Sequence, residues 1–462
     1  MEALLEVNDG TECLIAPLKK FLSKNDYYLV ASFVVAEPAL QAHVPDIVTR
    51  VIVPIFITHR IPNGKKLDPF TAALLGPSDN HRKFCTFLDD CLAKTKDELK
   101  AIVRTYPGIP EDSFKILNGV HELLRREIKK AKYLSSDFLN SRNQDAVNHV
   151  FHRYIEWKNR QLTRAQFDDH ARYGIEQGEW FQKLFIDRLM QSRDFGEAAR
   201  WARFNDYYLK LDLSRPPYDR LYVTCAYART VPGILRHAVI RPYWHERHHI
   251  FFIETKTAAE INKLTEIVKS IGLDSIVTLD CEYQTICFDR RTKISLLQFA
   301  VNRTKEVYVV DAHSMASEVR VIRQAWVHFL TSLFSSGIHK IFGLGLQGDL
   351  DAIKNTFPQF ETIRKTRIIQ TEVLIPELNK MMPTNPLDAK IGLKRLYESL
   401  FTRTLDKSEQ LSCFDRRPLR KAQLNYAAMD VIVLQDIYEK LKINSPDPKK
   451  FEQCVKKSEK SY

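Results

Sequence analysis

The spacing of apolar residues differs between the first and second halves of the chain. Up to about residue 210, apolar residues recur every three or four positions, as in DELKAIVRTY, FKILNGVHELLRREIKKA and NHVFHRYIEWKNRQL. This spacing predicts amphipathic helices joined by short polar or proline-containing turns. We therefore expect residues 1–212 to form an all-α array of packed helices. The helix lengths would suit an α-solenoid, although the segment has no clean fixed-period repeat.

Residues 213–248 interrupt the helical spacing with proline, glycine and histidine, as in RPPYDR, VPGI and RPYWHERHH. We interpret this segment as a linker between two domains.

From residue 249 to residue 443, short β-rich runs alternate with helical segments, which is typical of an α/β domain. IFFIET and SIVTLDCEY predict strands on either side of the helix AAEINKLTEIVKSI. KISLLQFAV and EVYVVDA follow closely as two more strands, which favours an antiparallel meander. A helix over about 316–336, the strand HKIFGLGL and a helix beginning at Asp349 come next. The lysine-rich residues 444–462 predict a basic, flexible tail.

Composition and charge narrow the choice of partner and compartment. A chain of 462 residues is too long to fold around one ordinary hydrophobic core, which predicts two domains. Its net charge of +12 and its pI of about 9.1 suit a polyanionic partner such as nucleic acid. The cysteines form no CxxC pair of the zinc-ribbon kind. The amino terminus lacks the layout of a secretory signal, and no apolar stretch reaches the ~20 residues of a membrane span. We therefore expect a protein of the cytoplasm or nucleus without membrane contact.

Two carboxylates stand at the end of the predicted strand VTLDCEY. Asp280 and Glu282 are two residues apart, so their side chains point to the same face of the strand. Crowded carboxylates repel each other, and a divalent cation is the usual way to make such a pair favourable. The alternative is an exposed acidic strand end without a ligand.

A third carboxylate follows the strand in KIFGLGLQGDLDAI, where a glycine-bearing turn leads into a helix with Asp349 in its first turn. The helix dipole favours a carboxylate there, so Asp349 could also be a plain N-terminal helix acid. Asp351 is the neighbouring candidate. We prefer Asp349 because Leu350 and Ile353 would then form the apolar face that seats the helix.

The helix predicted for RRPLRKAQLNYAAMDVIVLQDIY contributes a phenol and a fourth carboxylate. Its predicted buried stripe is Leu424, Ala427, Val431, Leu434, Tyr438 and Leu441, with Pro418 at the opening of the helix. Tyr426 and Asp430 are four residues apart and share another face. Alone, they could equally be a half-buried aromatic residue and a solvated acid.

Together, the four carboxylates and the phenol match what two-metal phosphodiester hydrolysis requires. Oxygen ligands favour two Mg²⁺ or Mn²⁺ ions over zinc. The Tyr426 hydroxyl could orient the attacking water without ionising.

The motifs resemble those of the DEDDy branch of the DnaQ-like 3′-5′ exonucleases, the ribonuclease D type. LDCEY resembles the first exonuclease motif, FGLGLQGDLDAI the second, and YAAMD the third, in which the tyrosine defines the branch. The stretch LDKSEQLSCFDRRPLRKAQLNYAAMD is especially similar to the Nibbler and mutator-seven exonucleases of animals, which also carry a helical domain before the nuclease. The resemblance implies an α/β, ribonuclease H-like fold for residues 249–443, with a mixed sheet and flanking helices.

The resemblance also implies roles and a substrate. Asp280, Glu282, Asp349 and Asp430 would be the metal ligands, and Tyr426 would position the water. The family implies trimming of RNA 3′ ends, with small regulatory RNAs held by an Argonaute protein as substrates. We expect the protein to differ from some relatives in having neither a cysteine-containing module nor a second helical domain after the nuclease. Further substrate handling would then come from the helical half or from a protein partner.

Basic residues near the motifs predict a path for a nucleic-acid strand, since such groups bind phosphates without reading bases. The predicted set is Arg364, Lys365, Arg367, Arg416, Arg417, Arg420 and Lys421. The alternative is a solvated cluster of surface charges. Two other functions remain open: an exonuclease that acts on DNA, because the motifs do not distinguish the sugars, and an inactive nuclease fold that serves as a scaffold for protein and RNA.

Overall fold

The chain divides into two compact units, Met1–Ala146 and Val147–Tyr462. The computed structural model describes residues 11–58, 67, 69–75, 79–211, 243–245, 248–284, 292–302, 304–335, 337–381, 386–388, 390–401 and 403–460. The linker predicted at 213–248 falls largely outside these residues. Among the described helices, none combines the length and apolar character that a membrane crossing needs.

The first unit is helical, as the apolar spacing predicts. Its described α-helices are α1 (Thr11–Ser23), α2 (Tyr27–Ala36), α3 (Val53–Thr58), α4 (Pro69–Leu75), α5 (Asp79–Leu92), α6 (Lys96–Arg104), α7 (Phe114–Leu117) and α8 (His121–Lys130). Ile55, Phe84 and Leu124 are fully buried in the core of this unit. Helix α6 begins where Thr95 and Glu98 bond each other's backbone N–H groups, a capping box that satisfies two donors at the helix start.

The second unit begins with helices that the sequence assigns to the first domain. They are α9 (Leu139–Lys158, within which the division falls), α10 (Arg164–Glu176), α11 (Glu179–Gln191) and α12 (Phe195–Arg203). Phe167, Phe181 and Trp201 are fully buried among these helices. Gly174 allows α10 to approach α11, because a Cβ there would lie 2.2 Å from the ring of Phe181. The division between the two compact units, near residue 147, thus falls inside the stretch 1–212 that the sequence assigns to one helical domain.

One buried and one half-buried histidine predict that acid destabilises this unit. Burial lowers the pKa of His170 to about 3 and that of His149 to about 4. The unfolded chain therefore takes up protons below pH ~6.5 that the folded chain cannot, and stability is lost as pH falls. Between pH 6.5 and 5 we expect a loss of up to about 2 kcal/mol per histidine in the free energy of unfolding.

Urea unfolding at several pH values checks this expectation. All five tryptophans lie in Val147–Tyr462, so their fluorescence follows this unit alone. The double variant His149→Gln, His170→Gln should show a flatter pH dependence, whereas His152→Gln, at an exposed position, should not. An equal dependence of the free energy of unfolding on pH in the wild type and the double variant would contradict the prediction.

In the described part of the second unit, eight strands form a central mixed sheet in the order β1-β2-β5-β4-β3-β6-β7-β8. Its strands are β1 (Tyr243–His245), β2 (His248–Ile253), β3 (Ile276–Tyr283), β4 (Ile294–Val301), β5 (Glu306–Asp311), β6 (Lys340–Gly343), β7 (Ile368–Gln370) and β8 (Glu459–Lys460). The pairs β3–β4 and β4–β5 are antiparallel, which confirms the predicted meander. The pairs β2–β5, β3–β6 and β6–β7 are parallel.

Helices cover the sheet, so the predicted α/β architecture of a mixed sheet with flanking helices is confirmed. They are α13 (Ala258–Lys269), α14 (Arg320–Ser335), α15 (Leu346–Thr356), α16 (Thr371–Asn379), α17 (Leu393–Leu400), α18 (Lys421–Asn444) and α19 (Pro448–Ser458). Leu264 of α13, Trp326 of α14 and Ile353 of α15 are buried in one hydrophobic core. Residues of α18 belong to two further hydrophobic cores of this unit.

Helix α18 is buried beyond the single stripe that the sequence predicts. The predicted stripe is buried, but so are Ala428, Ile432, Val433 and Ile437 on its other faces. The helix begins at Lys421, three residues after Pro418. Burial on several sides places the polar side chains of Gln423, Asp430 and Gln435 inside the protein, where a polar group needs a partner.

The predicted flexible tail is wrong for residues 448–460. Helix α19 begins after the N-cap Asp447, and Phe451 and Val455 are fully buried. Phe451 packs against Tyr438 of α18, and β8 pairs with β7. The apolar side chains at three- and four-residue spacing fix this segment, while its lysines lie on the exposed side.

Candidate metal-binding active site

Three of the predicted carboxylates meet where β3 faces α18. Asp280 and Glu282 come from β3 and Asp430 from α18, and each offers an oxygen within 4.8 Å of the others. The hydroxyl of Thr278 donates to the carbonyl of Val431 at 2.8 Å, which ties the strand to the helix beside the cluster. The convergence of these three residues agrees with the prediction.

Gln298 supports two of these carboxylates and was missed by the sequence analysis. It lies on β4 directly opposite Asp280 and is fully buried. Its Nε2 donates to Asp280 and Glu282, at 3.4 Å each. A buried amide opposite a motif carboxylate in the predicted meander was the available signal.

Burial and mutual repulsion make the cluster unfavourable while it is ionised. Burial, and then the charge of Asp430, raise the pKa of Asp280 to about 7. Burial, and then Asp280, raise the pKa of Glu282 well above its usual range, and burial raises the pKa of Asp430. Carboxylate oxygens are the ligands that Mg²⁺ and Mn²⁺ prefer, so these residues fit a divalent ion whose charge would relieve the repulsion.

The fourth carboxylate, Asp349, lies beside this cluster and is not one of its three members. It occupies the first turn of α15, which begins at Leu346 after Gly345 with a φ of 71°. The hydroxyl of Tyr283 donates to Asp349 at 2.6 Å. Burial, and then the charge of Asp280, raise the pKa of Asp349. Asp351 is exposed, so the geometry favours Asp349 over that alternative.

Tyr426 lies at the cluster together with a lysine that the sequence analysis did not select. The Nζ of Lys407 donates to the two oxygens of Asp430 at 2.6 and 2.8 Å and to the Tyr426 hydroxyl at 3.1 Å. Tyr426 is 8% exposed. Burial, and then the charge of Asp430, hold the pKa of Tyr426 above its usual range, so the phenol keeps its proton.

The segment that follows Lys407 is held by α10. Gln166 donates to the carbonyl of Ser408 at 2.6 Å, and Nε2 of His170 donates to the carbonyl of Leu411 at 2.9 Å. Asp169 accepts from Arg416 at 2.9 Å and from Arg420 at 2.7 Å. The helices before the sheet therefore help to position residues next to the carboxylate cluster.

The carboxylates open into a cleft of about 880 Å³. Asp280, Glu282, Asp430 and Tyr426 line one part of it. Lys390, Lys394 and Arg395 line another part and are exposed. The cleft thus combines buried acids with accessible basic groups.

Most of the basic residues predicted to contact nucleic acid have partners within the protein, and their role in binding nucleic acid stays a prediction. Five of the predicted basic side chains form ion pairs or hydrogen bonds within the protein. These contacts are Arg416 and Arg420 with Asp169, Arg417 with Asp311, Lys365 with the carbonyl of Phe360, and Arg367 with Asp274. Arg364 and Lys421 are exposed, and their role stays a prediction.

Known proteins are similar in sequence to this chain. A family model described as 3′-5′ exonuclease matches residues 252–444. The human exonuclease mut-7 homolog is 23% identical over 392 residues, which cover 79% of this chain and 43% of that protein. Exonuclease mut-7 of Caenorhabditis elegans is 26% identical over 201 residues, which cover 40% of this chain and 21% of that protein. The chain therefore spans less than half the length of these relatives.

Solved structures are similar to the same part of the chain. The Nibbler EXO domain of Aedes aegypti is 22% identical with a TM-score of 0.37, over 46% of this chain and 97% of that chain. RNase D of Escherichia coli is 20% identical with a TM-score of 0.32, over 44% of this chain and 48% of that chain. From the family match, residues 252–444 form a 3′-5′ exonuclease domain, and the chain is similar in sequence to the mut-7 exonucleases.

Proposed function

We propose that the protein is a divalent-metal-dependent exoribonuclease that shortens RNA from the 3′ end. The observation that carries this proposal is the meeting of Asp280, Glu282 and Asp430 within 4.8 Å in a cleft that Tyr426 also lines. An inactive scaffold has no need to keep buried carboxylates that repel each other, since their burial costs stability without a bound cation. The complete set of motif residues therefore favours an enzyme.

Each residue has a distinct role in this proposal. Asp280, Glu282, Asp349 and Asp430 would hold two Mg²⁺ or Mn²⁺ ions. When bound, the ions would activate the nucleophile and neutralise the charge that develops on the phosphate. Tyr426 keeps its proton and hydrogen-bonds the attacking water, which it orients toward the phosphorus. Gln298 keeps Asp280 and Glu282 in place through its two hydrogen bonds.

RNA is the preferred substrate class, and the 3′ end is the reactive end. RNase D of Escherichia coli is described as an exoribonuclease involved in structured RNA processing, and the proposal extends that substrate class to this chain. Exposed basic groups along the cleft would bind the phosphates of the strand. Small regulatory RNAs and an Argonaute partner stay predictions, because they depend on the resemblance alone.

Removing the basic groups of the cleft should weaken RNA binding. We expect the variant Lys390→Gln, Lys394→Gln, Arg395→Gln to bind single-stranded RNA roughly tenfold more weakly, with a salt dependence whose slope falls by about 2. Fluorescence anisotropy of a labelled RNA at several salt concentrations measures both. A matched control removes three exposed lysines of α19 by Lys449→Gln, Lys450→Gln and Lys456→Gln. An equal loss of RNA affinity in the control would show that net charge, and not the position of these residues in the cleft, causes the effect.

A nuclease assay tests the proposed function. Purified full-length protein is incubated with 5′-labelled single-stranded RNA carrying a 3′ extension, with Mg²⁺, Mn²⁺ or a chelator. We expect a ladder of products shortened from the 3′ end only when metal is present. A DNA strand of the same sequence in the same reaction compares the two sugars.

The variants Asp280→Ala and Asp430→Ala should leave the RNA intact. Degradation by these variants at the wild-type rate, or absence of shortening with every metal, would reject the proposal. Faster degradation of the DNA strand would instead support the DNA exonuclease.

A further inference from the structure

Lys407 places its ammonium group beside the carboxylate cluster, where it contacts three oxygen atoms. Its Nζ donates to both oxygens of Asp430 and to the hydroxyl of Tyr426. An ammonium group has three N–H donors, so these contacts can use them all. The side chain is only 16% exposed, and its Nζ lies 4.9 Å from the centre of the Tyr426 ring.

Asp430 is also the carboxylate that α18 brings to Asp280 and Glu282. A divalent ion shared with these residues needs an oxygen of Asp430, and the Lys407 ammonium engages both of them. Like charges a few Å apart in a buried site repel strongly, so the ion and Lys407 disfavour each other at Asp430.

Lys407 has the freedom to give way. It lies in the segment between α17 and α18, outside any helix or strand. Its charge sits at the end of a flexible four-carbon chain, which can move without a shift of the backbone. The neighbouring Ser408 is anchored through its backbone by Gln166, so movement is expected in the side chain alone.

We propose that Lys407 is a built-in counter-ion of the metal-free site, which competes with a divalent ion for Asp430 and leaves that carboxylate when the ion binds. This inference rests on the proposed function, because it deepens the metal site. Lys407 therefore lowers the affinity for metal and stabilises the protein while metal is absent.

Calorimetric titration of the full chain with Mn²⁺ tests the competition. Lys407→Met keeps the length of the side chain and removes the charge, so we expect roughly tenfold tighter Mn²⁺ binding, equivalent to about 1.4 kcal/mol. Lys407→Arg keeps the charge and should bind Mn²⁺ about as the wild type does. Lys394→Met removes a charge from the same cleft at a residue that pairs with Glu398 at 4.0 Å, and should change the affinity much less.

Thermal unfolding supplies a second readout. Without metal, Lys407→Met should unfold at a lower temperature than the wild type, and Mn²⁺ should raise its unfolding temperature by more. Unchanged or weaker Mn²⁺ binding by Lys407→Met, or an equal gain in Lys394→Met, would overturn the competition.

Amine labelling of the wild type covers the case in which Lys407→Met does not fold. Acylation followed by mass spectrometry should show that Mn²⁺ increases the modification of Lys407 and leaves that of Lys354, which pairs with Glu361 on the surface, unchanged. Equal or lower labelling of Lys407 with Mn²⁺ would overturn the inference. The two proposals fail separately: tighter Mn²⁺ binding by Lys407→Met without RNA shortening by the wild type rejects only the proposed exonuclease. RNA shortening by the wild type together with unchanged Mn²⁺ affinity of Lys407→Met rejects only the role of Lys407.

Discussion

Replacing Asp280 with asparagine should abolish RNA shortening and, at the same time, stabilise the metal-free protein. In the proposed site Asp280 is a metal ligand, and loss of several kcal/mol of transition-state stabilisation corresponds to a rate roughly 10³-fold lower. Without metal, the same carboxylate is half-buried within 4.8 Å of Asp430 and Glu282, and burial, followed by the charge of Asp430, raises its pKa to about 7. A neutral amide removes the repulsion, so we expect about 1–3 kcal/mol of added stability at pH 8.

Opposite effects on activity and stability distinguish this prediction from simple loss of folding. The rate is measured by single-turnover RNA shortening with Mn²⁺, and the stability by urea unfolding in a chelator, followed by tryptophan fluorescence. Asp351→Asn is the matched control, because Asp351 is exposed on α15 and should change neither quantity. A variant that is both inactive and less stable than the wild type would show that Asp280 supports the fold, against the prediction.

The carboxylates of the cluster could be predicted because their signal is local. Two acids at positions i and i+2 of one strand, and a tyrosine and an acid at positions i and i+4 of one helix, fix which side chains share a face. The apolar runs around them predict the strand and the helix, and the structure has both elements. That the strand and the helix meet at one site was implied by the resemblance to a known family, which makes all four carboxylates metal ligands.

Lys407 and the partners of the arginines could not be predicted in the same way. Lys407 lies in an irregular segment without periodicity, and its contact with Asp430 joins residues 23 apart. Arg416 and Arg420 follow a motif as phosphate-binding residues would, yet they pair with Asp169 about 250 residues earlier in the chain. Charge clusters in a sequence do not reveal whether a buried acid elsewhere neutralises them.

Replacing that acid, by Asp169→Ala, should destabilise the second unit by about 3–5 kcal/mol. Asp169 is 5% exposed, and its loss leaves Arg416, which is 6% exposed, without its carboxylate in the interior. Arg420 keeps its paired contact with Glu409 at 2.7 and 2.8 Å, so Arg416 carries most of the effect. Urea unfolding followed by tryptophan fluorescence measures the change in this unit. Glu179→Ala, at an exposed acid that pairs with Lys210 on the surface, should cost less than about 1 kcal/mol.

The double variant Asp169→Ala, Arg416→Met separates the unpaired charge from lost packing. Because it removes the orphaned guanidinium as well, it should be more stable than Asp169→Ala alone, whereas independent effects would add. Simple additivity would mean that Asp169 contributes packing and no charge pairing. A recovery would show instead that the helices before the sheet and the segment beside the carboxylate cluster are joined by a buried charge pair. The folding unit that supports the exonuclease site would then begin near residue 147, about a hundred residues before the matched domain.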